Sequence, residues 1–367
     1  MAQRNSAEAY VVAGGPTAQG GPSGIHEDFA KFRSEHALLK AHLPRSEVDW
    51  SYYQAGPTSD PNPLIFLHGT SGTAAAFFYQ VQSLSAKGYR VLSVQYPAYD
   101  SPEDWTKGFD VFLDQVRCKS CHLFGAGLGG FLAQHFTTRF PHRVRSMVLC
   151  NAFASTHPFA DKAGALASVV HFTPTPILRK VILDSFPEVP MTLMTKQAID
   201  FVAGQVSEIS GTDLAGRLSL NSTASSAGAV RLDPARITLV ESSGETMVPE
   251  ELRRELKRRY ADARVAELKS GGDFPFLSCP DEVSLFVEVH MRGLGVFAAG
   301  MGAGHRPQSD TTIQTAEQSE SPATIEPPPS GNVEYWIDED TVVKPASEAP
   351  APRREKWVNP FEDDGLL

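Results

Sequence analysis

The stretch FGAGLGGF, Phe124 to Phe131, ends an apolar run that begins at Cys121 and starts a helical one, GFLAQHFTTRF, at residues 130–140. Two constructions put small residues between a strand and a helix in this way. One is the tight G-x-S-x-G turn that holds a catalytic nucleophile above a sheet; Gly125-Ala126-Gly127-Leu128-Gly129 has its outer glycines, but glycine also stands at the nucleophile position. The other is the dinucleotide-binding G-x-G-x-x-G, and Gly125, Gly127 and Gly130 have that spacing. It requires an acidic residue at the end of the next strand, about 20 residues on. Leu149-Cys150-Asn151 stands there instead, so the nucleophile-type turn is the better reading.

Moving outward from the turn, apolar runs bounded by Gly or Pro recur: PLIFLHG at 63–69, YRVLSVQYP at 89–97, HLFGAG at 122–127, VRSMVLCNAF at 144–153, ITLVES at 237–242 and RVAELKSGG at 264–272. Their lengths and their apolar character on both faces predict buried parallel strands. Helical patterns lie between them, at 73–88, 105–117, 130–140 and 249–262. Alternation of this kind predicts a mostly parallel, doubly wound α/β sheet. The alternation is interrupted between about residues 154 and 236, where Pro174, Pro176, Pro187 and Pro190 divide helical pieces, including TLMTKQAIDFVAGQVSEIS at 192–210. A helical lid over the C-terminal edge of the sheet is expected there. Residues 1–28 and 298–367 are rich in small and polar residues without periodicity and are expected to be disordered, leaving a folded domain at 29–297.

Further motifs fall at the ends of the predicted strands. His68-Gly69 marks the loop whose amide, at Thr70, would form one half of an oxyanion hole, with Leu128 supplying the other. Glu245-Thr246-Met247-Val248-Pro249 follows the D-x-x-V-P pattern of a triad acid, and Gly271-Gly272-Asp273-Phe274-Pro275 follows the G-G-H-F pattern of a triad base. Together they indicate an α/β-hydrolase fold whose nucleophile, acid and base positions read Gly127, Glu245 and Asp273. A serine mechanism needs a hydroxyl and an imidazole to relay its proton, and this set has neither. The degenerate triad therefore predicts a non-enzyme. Glu245 and Asp273 are expected to lie close together, which would leave one of them partly protonated or held by a cation. Residual hydrolysis would need another nucleophile, Ser71 being the nearest in sequence. His68, His122, His135 and His171 read as loop, strand or helix residues.

The formal charge of −10 argues against nucleic acid as a partner. No stretch approaches the roughly 18 apolar residues of a membrane span, and the first residues lack a basic-then-apolar leader, so a cytosolic protein is expected. Cys118, Cys121, Cys150 and Cys279 are too few and too uneven for a disulfide framework. Cys118-Lys119-Ser120-Cys121-His122 spells a haem-attachment pattern, yet it runs straight into an apolar strand and no second cysteine pair accompanies it. No cofactor and no metal is expected.

Several strings resemble the maspardin family: QAGP at 54–57, SGTA at 71–74, GYRVLSVQYP at 88–97, HLFGAGLGGFLAQ at 122–134, LCNAF at 149–153, AIDF at 198–201, LSLN at 218–221 and LKSGGDFPFL at 268–277. The resemblance covers roughly residues 30–295. It implies an α/β-hydrolase-fold protein that acts without catalysis, in the cytosol and at endosomal and trans-Golgi membranes, through protein partners that include receptor cytoplasmic tails. Members of the family keep a serine in the turn and lack the base histidine; this chain departs further, with Gly127 and Asp273.

The resemblance does not reach the last 70 residues. Residues 298–367 hold thirteen Asp and Glu against five Lys and Arg, so −8 of the formal −10. The chain ends Trp357-Val358-Asn359-Pro360-Phe361-Glu362-Asp363-Asp364-Gly365-Leu366-Leu367. Asn359-Pro360-Phe361 matches the ligand of EH domains, and Glu362 with Leu366 and Leu367 matches the acidic dileucine signal read by clathrin adaptors. Tyr335-Trp336 is a second candidate anchor. These motifs predict a flexible tail that orders only on binding. The expected function is a cytosolic adaptor in endosomal or trans-Golgi trafficking, with peripheral membrane association. The alternatives are a binding protein for an acyl or carboxylate ligand in the former active-site pocket, and a residual serine hydrolase.

Overall fold

Eight strands, β1 Leu39–His42, β2 Asp49–Ala55, β3 Leu64–Leu67, β4 Val91–Gln95, β5 Cys121–Ala126, β6 Val144–Cys150, β7 Ile237–Ser242 and β8 Arg264–Leu268, form one sheet in the order β1-β2-β4-β3-β5-β6-β7-β8. The computed structural model describes residues 24–44, 49–164, 169–187, 191–244 and 246–296. Strand β2 runs antiparallel to both its neighbours, and the pairs from β4 through β8 are parallel. Every residue of β3, β5 and β7 is buried, as continuous apolar runs require when both faces are covered. Two departures from expectation have one cause. Strand β8 is largely exposed, not fully buried as predicted, and β1 and β2 have no such apolar run to announce them. All three lie at or next to an edge of the sheet, where less of the strand is covered.

Helices cover both faces. On one side α1 Ile25–Glu35, α2 Phe78–Ala86, α7 Leu193–Glu208, α10 Pro275–Ser278 and α11 Pro280–Gly293 pack on Phe66, Phe124, Val148 and Val240. On the other, α3 Pro102–Gln115, α4 Leu128–Arg139 and α9 Glu250–Arg259 pack on Leu67, Leu123, Leu149 and Leu239. The two sets alternate along each strand because successive side chains point to opposite faces. Helix α1 corrects the expected boundary at residue 28. Ile25 is buried, and Phe29 packs against Tyr53, Phe78 and Phe201. A short aromatic helix is hard to separate from a polar leader without knowing what it packs against.

The insertion after β6 contains α5 His157–Ala163, α6 Thr175–Leu183, α7 and α8 Gly211–Ser222. Its two ends are joined: Ala227 N donates to Ala154 O at 2.8 Å and Thr156 N to Ser225 O at 2.9 Å. The segment therefore leaves and rejoins the sheet at one place. Helix α7, with Ala198, Phe201 and Val202 buried, is part of the core rather than only a cover.

Candidate functional site

Strand β5 enters the turn and α4 leaves it at Leu128, two residues before the start expected at Gly130. Between them Gly127 has φ 51° and ψ −118°, a conformation that side chains with a Cβ rarely adopt. Its amide donates to Cys150 O at 3.1 Å, and its carbonyl accepts from Gly130 N at 3.0 Å and Phe131 N at 3.2 Å. Its neighbours are glycine for a different reason. A Cβ on Gly129 would stand 2.2 Å from Leu67 O, and one on Gly125 would stand 2.5 Å from Gly130 Cα. A Cβ on Gly127 would meet nothing nearer than Gly69 Cα, at 3.9 Å. The turn thus keeps the geometry and the room of a nucleophile position while carrying no side chain there.

The loop after β3 lies against this turn. Gly69 approaches Ala126 O and Leu128 N closely enough that an added Cβ would be 3.3 and 3.9 Å away. Leu128, as the first residue of α4, has an amide with no acceptor inside its helix, as the oxyanion reading requires. Thr70 is half-buried. Its carbonyl and that of Gly72 accept from Arg217 Nη1, at 3.4 and 2.7 Å. Arg217 comes from α8 and is fully buried, with its guanidinium 5.6 Å over the Tyr96 ring. It ties the insertion to the loop after β3. The sequence reading gave it no role, although an arginine on the apolar face shared by Leu214 and Leu220 was a visible signal.

The base position is built around Asn151, which sequence reasoning also missed. At the end of β6 it has φ 42°, a value asparagine tolerates better than most residues. Its Oδ1 accepts from Ser242 N at 3.0 Å, and its Nδ2 donates to Gly272 O at 2.9 Å. The ends of β6 and β7 and the Gly271–Asp273 loop are thereby joined. Asp273, 8% exposed, accepts from Met247 N at 2.6 Å through Oδ1, while Oδ2 is buried without a hydrogen-bond partner among the described residues. Burial pushes its carboxyl up to about 6, against the opposing pull of the Met247 amide and the Arg253 charge. Asp273 thus meets the loop after β7 at Met247; Glu245, and with it the expected approach of the two carboxylates, lies outside the described residues.

Ser71 is 3% exposed, and none of the described histidines hydrogen-bonds to it. His68 is buried, stacked on Tyr96 with ring centroids 4.4 Å apart, and its Nδ1 lies 2.8 Å from Gly69 O. Burial, with the Arg217 charge, holds it well below the usual imidazole range. His135 packs edge-on against Phe131 inside α4, and His171 lies near Asp100 at the surface. Cys118 and Cys121 are buried free thiols whose sulfurs face the carbonyls of Ser120 and Arg143. Among the described residues no group of three or more His, Cys, Asp or Glu is arranged to hold a metal, and no helix is long and apolar enough to cross a membrane. The tail residues Asn359, Pro360, Phe361, Glu362, Leu366 and Leu367, with Tyr335 and Trp336, lie outside the described residues.

A crossed parallel sheet with a turn of this geometry at the end of β5 defines an α/β-hydrolase fold, and the sequence model of the alpha/beta hydrolase family matches residues 64–284. Solved structures agree on the fold. A carboxylesterase structure from Nitrososphaera gargenis gives a TM-score of 0.56 at 17% identity, covering 69% of this chain and 99% of that one. A hydrolase from Pseudomonas aeruginosa PA01 gives 0.56 at 17% identity, covering 71% and 98%. Sequence relatives narrow the class. Maspardin of Danio rerio is 39% identical over 272 residues, 73% of this chain and 86% of that protein, and maspardin of Homo sapiens is 38% identical over 270 residues, 73% and 87%. This chain belongs to the maspardin family.

Proposed function

We propose that this chain is a maspardin-family protein without hydrolase activity, acting as a cytosolic protein-interaction adaptor linked to endosomal and trans-Golgi trafficking. One observation carries the inactive part. At the nucleophile position a residue with no side chain stands in open space, and the base position holds a carboxyl bound by a backbone amide. An acyl transfer needs a nucleophile and a base within hydrogen-bond reach of each other; a glycine and an aspartic acid do not form such a pair. A fluorophosphonate probe applied to the full chain should leave it unlabelled. Labelling, or ester turnover that Ser71→Ala abolishes, would overturn the inactive reading.

The adaptor part draws on the family and on the Asn359-Pro360-Phe361 and Leu366-Leu367 motifs. Capture by isolated EH domains should be lost with Phe361→Ala, and clathrin-adaptor capture with Leu366→Ala and Leu367→Ala. Affinity purification with and without residues 357–367 tests whether the tail selects the partners at all. A second reading, a binder of acyl or carboxylate groups, draws on the space over Gly127 beside the Leu128 amide. Native mass spectrometry of gently purified protein should then show a bound small molecule, and repeated absence of one removes that reading.

A further inference from the structure

At the edge of the sheet opposite the glycine turn, four polar side chains form one buried hydrogen-bonded row. Thr238 Oγ1 lies 2.8 Å from His290 Nδ1, His290 Nε2 lies 2.8 Å from Ser146 Oγ, and Ser146 Oγ lies 2.7 Å from His122 Nδ1. None of the four is more than 4% exposed. Burial holds both imidazoles neutral, pushing His122 down to about 3 and His290 to about 4.

Such a row has a direction, because each hydroxyl carries one proton and each neutral imidazole one N–H. Thr238 has no other side-chain partner among the described residues, and a buried hydroxyl proton without an acceptor is costly. Thr238 therefore donates to His290 Nδ1, His290 donates from Nε2 to Ser146, and Ser146 donates to His122 Nδ1. That leaves the His122 proton on Nε2. The reverse direction would strand the Thr238 proton at one end and the His122 Nε2 lone pair at the other.

His122 Nε2 is buried and has no hydrogen-bond partner among the described residues. His122 lines a cavity of about 340 Å³ together with Asp60, Asn62, Tyr89, Arg90 and Arg145. Arg145 is held in place through Nε, which donates to Ser120 Oγ at 3.0 Å, while Ser120 Oγ donates to Asn62 Oδ1 at 2.6 Å. Its two Nη groups have no partner among the described residues. Arg90, 3% exposed, donates from its Nη groups to the carbonyls of Asp60 and Val116 and to Gln54, and its Nε is buried without a partner among the described residues. Asp60 accepts from Asn62 N through Oδ1 at 2.9 Å. Among the described residues the lining therefore carries two guanidinium charges against one carboxylate, plus an imidazole N–H without an acceptor.

We propose that this cavity is a binding site for a phosphate group, with the Arg145 Nη groups and the His122 Nε2–H as its donors and the buried Arg90 charge behind them. A tetrahedral oxyanion accepts from several directions at once, and these donors come from different strands; guanidinium groups are suited to such recognition. The site is separate from the glycine turn and stands or falls independently of whether the turn is catalytic.

The test uses the full chain, with inorganic phosphate as the probe and the histidine side chains followed by ¹⁵N NMR. The His122 resonances, identified by their loss in His122→Phe, should show the Nε2–H tautomer and shift saturably with phosphate. Arg145→Gln, a change at an exposed side chain, should weaken phosphate binding about tenfold or more and leave thermal unfolding without phosphate unchanged. A His122 Nδ1–H tautomer, phosphate affinity that Arg145→Gln leaves intact, or a cavity that takes up solvent only and never saturates with phosphate would each overturn the assignment.

Discussion

Gly127 and Gly129 stand two residues apart and are glycine for different reasons, so the same kind of substitution should fail differently at each. At Gly127 the constraint is φ 51° with open space around it. Gly127→Ser should fold, lose about 1–3 kcal/mol of stability in urea denaturation, and show no ester turnover, because Asp273 supplies no imidazole. Turnover in that single variant would show that another group acts as base. At Gly129 the constraint is the Leu67 carbonyl, and Gly129→Ala should cost about 3 kcal/mol or more through overpacking. Asp273 permits a pH test. Its carboxyl is raised from 3.8 to about 6 in the folded chain, so the native state holds the proton more tightly than the unfolded one. Its contribution is fully present below about pH 4 and is lost as pH rises through about 6. Asp273→Asn keeps the acceptor for Met247 N–H and removes the buried charge. The variant should be more stable than the parent at pH 7.5 by about 1–3 kcal/mol, and no more stable at pH values below about 4. Urea midpoints at the two pH values measure this. The glycine and the aspartate at these positions were plain in the sequence; that the carboxyl meets the Met247 amide was not.

At the scale of elements, the buried arginine of α8 couples the lid to the loop after β3. Arg217 donates to Gly72 O, and losing it leaves that carbonyl without the donor. Arg217→Ala should destabilise the fold by about 2–4 kcal/mol. It should also speed amide exchange in residues 69–73 more than in β3, as hydrogen exchange with mass spectrometry would show. Uniform acceleration across the sheet would mean that Arg217 supports the core and not the loop in particular. The central strands were legible in the sequence because cover on both faces demands unbroken apolar runs. Strands β1 and β2, with burial on only some positions, produced no such signal. The start of α4 at Leu128 was displaced in the reading because glycine is a poor helix former. Gly129 and Gly130 are helical nevertheless, since close packing on Leu67 and Ala152 leaves no room for a larger residue.

For the whole molecule, the buried histidines dominate the response to acid. His122 and His290 titrate near 3 and 4 when folded and near 6.5 when unfolded, and His68 is depressed as well. Their contribution is fully present above about pH 6.5 and is lost as pH falls toward those values. Asp273 acts in the opposite sense but is one group against four, since burial lowers His135 too. Stability should therefore fall on acidification from pH 7 to about 4.5, measured as a lower urea midpoint. A midpoint that rises over that range would show that the histidines are charged in the folded chain. The sequence by itself determined the alternating fold, the interruption after β6, the family, and the absence of a hydroxyl and an imidazole at the positions where a triad would stand. These follow from local pattern and residue identity. Only the tertiary structure decided that Asn151 joins three chain segments, that Arg217 reaches Gly72, and that Thr238, His290, Ser146 and His122 form one row. Those facts depend on residues between 24 and 145 positions apart in the chain meeting in a low-dielectric interior, where each polar group must find a partner or remain costly.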